Sequence, residues 1–390
     1  MRRSQKPFVM LAVAAIAGQG LAVSVSAAGP QDPPQRERHR VVISQELLVE
    51  LQQILRESLG EDLGRNLSHN LNHTLAEVMR ELPQGMPAGM LDDLKAQDRD
   101  YRAEQVAKET KTLAIGASGS LELRNIVGDI IVKAGGSRDA TIDIVRTSRG
   151  RTDADAKLGL ERVTVETSLQ GTRGNVTARY PDERRPPYSV STAYTVTVPA
   201  GTRVSAHSIA GNVRMTGVKG EISVDTISGD LDIQGAANID SVRTMSGRIT
   251  VTGAQSDGTI DVGIMSGSVN LTDVKARRVS VSAVSGPVVA RNVTAASATV
   301  TSLSGDIDYI GPVSSAGRYE FQSHSGEIRL ALSGGFTFEG RSFSGSVQGD
   351  QGLSLTRSTG GRQVARGTLG DGSAVVAATT FSGNVKVSGK

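Results

Sequence analysis

The chain has 390 residues, of which 38% are hydrophobic and only 3% aromatic, and it contains 45 glycines, no tryptophan and no cysteine. The absence of cysteine excludes disulfides, thiolate chemistry, cysteine-ligated zinc and a lipidated cysteine anchor. With so few aromatic residues, a core must be filled by Val, Ile, Leu and Ala between many tight turns. This composition is typical of short, repeated strands.

The first 27 residues have the pattern of a secretory signal peptide. Basic residues at positions 2, 3 and 6 precede the apolar run Phe8–Ala17, and the small residues Val25–Ala27 form a cleavage site. An uncleaved membrane anchor is the alternative, because small and apolar residues continue to Ala28, but Gly18–Gly20 interrupts them. We therefore expect an exported protein in the periplasm, in the cell envelope or at the cell surface.

The charge balance changes when the predicted signal peptide is removed. The full chain has a formal net charge of +3, and residues 1–27 contain three basic residues and no acidic ones. The remaining chain therefore has 40 Lys and Arg against 40 Asp and Glu. A neutral chain gives no evidence for binding to an anionic membrane, and we expect no nucleic-acid partner.

The next two segments are predicted to be a linker and a helical region. Residues 28–40 are rich in proline and charge, as linkers are. Residues 41–110 have a helical pattern, because leucines recur every four positions from Leu47 to Leu75. Such a stripe drifts by ~40° per repeat around one helix, so we predict two or three amphipathic helices, the last over Leu91–Lys108. These helices pack on their own domain or, alternatively, self-associate as a bundle.

From residue 111 the pattern changes to alternating apolar and polar residues, which indicates β-strands. A charged, proline-rich loop at residues 180–187 interrupts this alternation. Residues 111–200 are therefore predicted to be a leading, irregular β region.

Residues 201–390 contain a repeat of about 19 residues centred on a small residue followed by glycine, most often Ser-Gly. The glycines are 18 to 21 residues apart, except for a last interval of 38 that we interpret as two units. They are Gly211, Gly229, Gly247, Gly267, Gly286, Gly305, Gly326, Gly345 and Gly383. The residue two positions after each glycine is apolar and the residue directly after it is mostly polar, which separates inward from outward columns.

This periodicity predicts a mainly β fold, a β-solenoid or β-helix preceded by the short α-helical region. Each unit buries its apolar columns only by stacking on its neighbours at ~4.8 Å. Glycine supplies the corner, because it tolerates the positive φ of a tight turn. A β-sandwich with hairpins at Ser-Gly is the structural alternative, but its strands would not be expected to keep one column alignment over nine units.

Two sequence features resemble a known family. The run Tyr194–Val204 leads into the first unit, and units of the form Ile-Ser-Gly-Asp-Leu-Asp-Ile recur. They resemble the DUF4097 β-strand-repeat proteins of bacterial envelopes, which are also labelled adhesins. The resemblance covers about Leu113 to Lys390 and implies a β-solenoid-like exported or envelope protein without a catalytic motif. The helical segment before Lys111 lies outside it.

The histidines are interpreted as structural or surface residues. His69, His73 and Glu77 are spaced by four residues and could present metal ligands on one helical face, but no further ligand cluster accompanies them. His324 occupies an otherwise apolar column and is predicted to be half-buried, whereas His207 is predicted to be solvated. The sequence therefore predicts no metal site, no cofactor and no catalytic residue.

Two carboxylate pairs were the other candidates for chemistry, since glycoside-cleaving enzymes use paired acids. Asp230 and Asp232 form one pair, and Asp306 and Asp308 form the other. The pairs are expected four units, or ~19 Å, apart, with Thr250, Asn270 and Val289 between them in the Asp232 column. We interpret these carboxylates as part of a solvated face.

The sequence thus predicts a non-enzymatic, adhesin-like envelope protein whose regular surface binds an envelope protein or glycan, or gives mechanical extension. An envelope-stress sensor or scaffold that signals through the helical segment is the alternative. A polysaccharide-active β-helix enzyme is a third hypothesis, and it would require acidic and basic residues to converge on adjacent units.

Overall fold

The computed structural model describes residues 101–181, 186–349, 356–358 and 363–389. Strands dominate this part of the chain, and one short helix accompanies them. The predicted signal peptide, the linker, the helical pattern up to residue 100 and its candidate metal ligands lie outside the described residues. Within them, no helix has the length and apolar character needed to cross a membrane.

The elements fall into three groups along the chain. The first group is β1 Ala103–Leu113, β2 Ser120–Val127, β3 Ile130–Gly135, β4 Ala140–Gly150, α1 Asp153–Arg162, β5 Thr164–Gln170, β6 Arg173–Arg179 and β7 Tyr188–Pro199. The second is β8 Arg203–Ala210, β9 Val213–Thr216, β10 Ile222–Ser228, β11 Leu231–Gln234, β12 Ile239–Thr252, β13 Gln255–Thr272, β14 Lys275–Ser285, β15 Val288–Arg291, β16 Thr294–Ser304, β17 Ile307–Pro312, β18 Arg318–Ser325 and β19 Ile328–Ser333. The third is β20 Phe336–Ser342, β21 Val347–Gly349, β22 Thr356–Ser358, β23 Gln363–Leu369, β24 Ala374–Thr380 and β25 Val385–Gly389.

Each repeated unit, here called a rung, has a strand before a corner and a strand after it. The strands before the corner form arm 1, a parallel stack in the spatial order β6, β2, β8, β10, β12, β13, β14, β16, β18, β24, β20. Those after it form arm 2, in the order β7, β3, β9, β11, β12, β13, β15, β17, β19, β25, β21. β12 and β13 run through the corner into both arms. At ~4.8 Å per rung the stack is roughly 48 Å long, and the predicted β-solenoid-like fold is confirmed.

The register follows the columns that the repeat predicts. In arm 1, Val224 lies between Ala206 and Val242 of the neighbouring rungs. In arm 2, Leu231 pairs with its apolar counterparts on both sides in the same way. These inward columns belong to one continuous apolar core. Because every rung repeats the pattern, each strand buries its apolar face against the next.

The stack begins before residue 201, which corrects the predicted boundary. β2 and β3 already form a regular rung: Leu121 lies opposite Val204 of β8, and Gly128 occupies the corner. After β3 the chain leaves the stack, forms β4, α1 and β5, and returns to place β6 and β7 on the outer side of β2 and β3. Residues 111–200 are therefore only partly irregular.

The far end of the stack does not follow chain order. β24 and β25 lie between the rung of β18 and β19 and the rung of β20 and β21. The interval between Gly345 and Gly383 was predicted to hold two stacked units, and that prediction is wrong. Within this interval β23 pairs antiparallel with β20, and β22 pairs antiparallel with β23, so both lie beyond the last rung of arm 1.

The start of the described chain gives a third correction. Residues 103–110 were predicted to belong to the helical region, but they form most of β1, which pairs antiparallel with β4 over 11 residue pairs. Residues 103–110 form a strand because β4 supplies backbone hydrogen-bond partners along the whole of β1. This tertiary pairing overrides a weak local preference for helix. β1 carries Lys108 and Lys111, as edge strands often do.

Candidate functional site

The Ser-Gly corner is a packing requirement of the stack. Gly229 and Gly267 have φ of 150° and 136°, which few residues with a Cβ adopt. A Cβ at Gly229 would lie 2.0 Å from the carbonyl oxygen of Gly211, and one at Gly267 would lie 1.7 Å from that of Gly247. The close approach to a carbonyl oxygen recurs at every corner glycine, so the prediction that glycine supplies the corner is confirmed. The predicted positive φ is present only in the earlier rungs, from Gly211 to Gly286.

The residue after the corner glycine joins neighbouring rungs by hydrogen bonds. The backbone N–H of Asp230 donates to Oδ1 of Asn212 at 2.9 Å, and that of Arg248 donates to Oδ1 of Asp230 at 2.8 Å. The N–H of Glu327 donates to Oδ1 of Asp306 at 2.9 Å in the same way. Asp230 and Asp306 are thus part of the corner structure. They do more than solvate the surface, which is the only role that the sequence predicts for them.

The other members of the carboxylate pairs form ion pairs on the outer face of arm 2. Arg214 Nε lies 3.0 Å from Asp232, and Arg329 lies 2.9 Å from Asp308. Arg329 also contacts Asp306 at 3.2 Å, so it connects both members of the second pair. As predicted, Thr250, Asn270 and Val289 separate Asp232 from Asp308. The structure does not bring the two pairs together.

Glu327 extends this network to a further rung. It contacts Arg329 at 2.5 Å and Lys386 at 2.7 Å. The hydrogen bond from Lys386 is the main reason why the pKa of Glu327 is lowered, and Arg329 acts in the same direction. Because the two cations are about half exposed, the network contributes little free energy of folding.

The outer face of arm 1 corrects the interpretation of His207. Its side chain is only 15% exposed, and Nδ1 lies 3.5 Å from Asp225 on the next rung. On the following rungs Arg243 donates to Asp261 at 2.7 Å. His207 is therefore half-buried in a polar surface layer and not solvated, because long polar side chains of neighbouring rungs cover one another.

Asp240 lies in the same part of arm 1, at an irregularity in the pairing of β12 with β10. Burial raises the pKa of Asp240, and the nearby carboxylates of Glu221, Asp261 and Asp225 raise it further. Among the described residues, no three His, Asp or Glu side chains are grouped as metal ligands would be.

A column of apolar side chains runs along the outer side of the corner, two residues before each corner glycine; we call it the apolar strip. Its members, in spatial order, are Ile126, Ile209, Ile227, Met245, Met265, Val284, Leu303, His324, Phe381 and Phe343. Ile126, Ile209 and Val284 are buried although they lie outside the main core. Exposure is greatest at the far end, where Phe381 is 42% and Phe343 51% exposed.

The far end of the apolar strip is an aromatic stack of three parallel rings. The centroids of His324 and Phe381 are 5.0 Å apart with an angle of 8° between the rings, and those of Phe381 and Phe343 are 4.8 Å apart with an angle of 7°. These spacings match the distance between parallel strands, so the stack follows from the register. His324 is half-buried as predicted, and burial lowers its pKa.

Sequence reasoning placed these three residues in one column but missed that they form an exposed cluster. The column alignment was the available signal, since it assigned all three rings to one position of the repeat. It could not show that Phe381 lies between His324 and Phe343, because chain order would place Phe343 next to His324.

The fold defines a class of proteins in which parallel two-strand rungs stack around glycine corners. The family model described as Toastrack DUF4097 matches residues 119–388. The chain belongs to this family.

Two solved structures to which the chain is similar share little sequence with it. A "putative lipid binding protein" from Parabacteroides distasonis is 12% identical, with a TM-score of 0.43, over 73% of this chain and 96% of that one. A "putative adhesin" from Parabacteroides merdae is also 12% identical, with a TM-score of 0.36, over 72% of this chain and 95% of that one. A comparison with curated proteins finds no match.

Proposed function

We propose that the chain is an exported, non-enzymatic protein of the cell envelope, adhesin-like, which uses its rigid stack to hold a binding surface for another envelope component. The N-terminal signal pattern supports export, and the family supports an envelope protein. The partner is an envelope protein or a glycan. Residues 41–110 serve as anchor, cap or oligomerisation element in this proposal.

The observation that carries the proposal is the exposed aromatic stack. Phe343 and Phe381 are among the few large apolar side chains of the described residues that are strongly exposed, and they are the only two of these that stack on each other. Contact of exposed apolar rings with water is unfavourable, so large exposed apolar patches often mark binding sites. Aromatic side chains are also enriched where proteins bind partners. The apolar strip continues this surface along the stack.

The polar residues of the repeat support a binding role over catalysis. The four carboxylates that could have served as acid and base accept backbone hydrogen bonds or pair with arginines. The two pairs are four rungs, or ~19 Å, apart, whereas a glycosidase needs its two carboxylates within ~10 Å.

Binding of the full mature chain to native envelope fractions tests the proposal. The variant F343S/F381S should weaken co-sedimentation with the envelope, because both exposed rings are removed. Ile310→Ser is the matched control, since Ile310 is 45% exposed outside the apolar strip. Equal binding by wild type and F343S/F381S would contradict the proposed binding surface.

The non-enzymatic part has its own test. We expect the purified protein to release no reducing sugar from a panel of envelope and capsular glycans. Release that is abolished in D232N/D308N would instead identify a hydrolase and overturn this part of the proposal.

A further inference from the structure

Four basic side chains form a patch at the start of arm 1, separate from the aromatic stack. They are Lys275, Arg277 and Arg278 of β14 and Arg318 of β18, all exposed. Arg278 lies opposite Ser297, which in turn lies opposite Arg318, so the two arginines are in one column with one rung between them. Their Cα atoms are therefore roughly 10 Å apart.

Within the described residues the basic patch forms no ion pair, unlike several other arginines of the stack. Arg179, Arg214, Arg243 and Arg329 each pair with a carboxylate. None of the four patch residues has a carboxylate within ion-pair distance in the part of the chain that the structure describes. Three like charges within four residues repel one another, so the grouping does not stabilise the fold.

One contact prepares the patch for an anion. Arg278 donates from Nε to the hydroxyl of Ser297 at 3.2 Å, which holds its guanidinium over the next rung, towards Arg318. Both terminal Nη groups of Arg278 remain available for the two oxygens of a carboxylate, sulfate or phosphate. Between the cations, Ala296 and Ser297 are small and leave the surface open.

We propose that the basic patch binds an anionic polysaccharide, that is, a glycan with carboxylate, sulfate or phosphate substituents. A polymer with repeated charges can engage Arg278 and Arg318 together. Once one charged group is bound, the next group of the same polymer is at a high effective concentration near the other arginine, which increases the affinity. The proposal goes beyond the proposed function because it concerns a different surface. The aromatic stack lies at the corners, whereas Arg278 lies eight residues before its corner, or ~26 Å along the strand.

The surroundings of the patch favour a polysaccharide over the other polyanions. Single-stranded nucleic acid is bound by aromatic side chains that stack on bases, and no exposed aromatic residue lies between the patch cations. A membrane surface would be bound by basic residues together with apolar anchors, but Ala296 and Ser297 lie between the arginines.

Binding of the full mature chain to dextran sulfate, with neutral dextran of equal size as reference, tests the proposal. We expect binding to dextran sulfate alone, weakened roughly tenfold or more between 50 and 200 mM salt. The variant R278Q/R318Q should weaken it by roughly tenfold or more. R179Q/R214Q is the matched control, since these arginines are 63% and 60% exposed but paired, and it changes the net charge equally.

The remaining outcomes overturn the proposal. Absence of binding to dextran sulfate, equal binding to neutral dextran, or equal weakening in both double variants would each do so. Tighter binding to anionic phospholipid vesicles or to a single-stranded oligonucleotide would show a different class of partner. Circular dichroism of each variant checks the fold, which these exposed substitutions should leave intact. F343S/F381S should bind dextran sulfate like wild type, so failure here is distinguishable from failure of the proposed function.

Discussion

At the scale of single residues, the corner glycines determine whether rungs can stack. Gly267 combines a φ of 136° with a neighbouring carbonyl oxygen 1.7 Å from where a Cβ would be. Neither the backbone nor the oxygen can move without shifting a whole rung. The serine before the glycine has no such restriction, and Ser246, Ser266 and Ser325 are exposed.

The substitution Gly267→Ala should therefore lower the free energy of unfolding by roughly 2–4 kcal/mol, through strain and a forced rung displacement. Gly136→Ala is the control, because a Cβ there would meet no atom within 4 Å. Urea denaturation followed by circular dichroism measures both. Midpoints that agree for the two variants would contradict the packed corner.

His324 makes stability depend on pH through its place in the aromatic stack. Burial lowers the pKa of His324 in the folded protein. The unfolded chain, with an ordinary histidine pKa of ~6.5, then binds the proton at a higher pH than the folded one. The stabilising contribution is complete above that value and is lost as pH falls through the lowered pKa.

Accordingly, the melting temperature of wild type should fall more between pH 7.5 and pH 5 than that of His324→Leu. Leucine fits the column, because Leu303 occupies it on the neighbouring rung. Thermal melts of both proteins over this range give the comparison, and parallel pH profiles would show that His324 is not responsible.

At the scale of rungs and strands, repeated side-chain ladders connect neighbours beyond the backbone pairing. Asp230 illustrates this, since its Oδ1 accepts the N–H of Arg248. Asp230→Asn should be nearly neutral, because Asn212 performs the same task one rung earlier. Asp230→Ala should cost about 1 kcal/mol, the value of one net hydrogen bond. Urea midpoints distinguish these cases, and similar losses for both substitutions would mean that charge, not the hydrogen bond, is important here.

The columns explain why so much of the fold could be predicted from the sequence. A residue such as Val224 faces inward in every arrangement that stacks rungs, so periodicity alone assigns its face. Periodicity does not determine which rung is the neighbour. Val376 of β24 pairs with Tyr319 of β18 although 57 residues separate them, because equivalent apolar columns accept any order of stacking.

The same limit applies to the candidate site. The exposed aromatic stack depends on Phe381 entering between two rungs that follow each other in sequence. The basic patch depends on Arg278 and Arg318 lying in one column on either side of Ser297. The net charge of the chain gives no indication of such a local grouping. The burial of His207 depends on Asp225 one rung away, which the pattern along one strand does not show.

At the scale of the whole molecule, the stack presents different surfaces at different places along its length. Its near end carries β4, β1 and α1, and the far end of arm 1 is covered by β23 and β22. The aromatic stack lies at the far end and the basic patch lies towards the middle. The two surfaces proposed as binding sites therefore lie at different positions along the stack.

The spatial order of the last rungs creates the aromatic stack, and it can be tested directly. The chain has no cysteine, so pairs of cysteines can be introduced at the exposed corner serines Ser325, Ser382 and Ser344. Corners of adjacent rungs are ~4.8 Å apart and can form a disulfide, whereas corners two rungs apart cannot. Mild oxidation should cross-link S325C/S382C and S382C/S344C but leave S325C/S344C reduced. Efficient cross-linking of S325C/S344C, with none in S325C/S382C, would contradict the account.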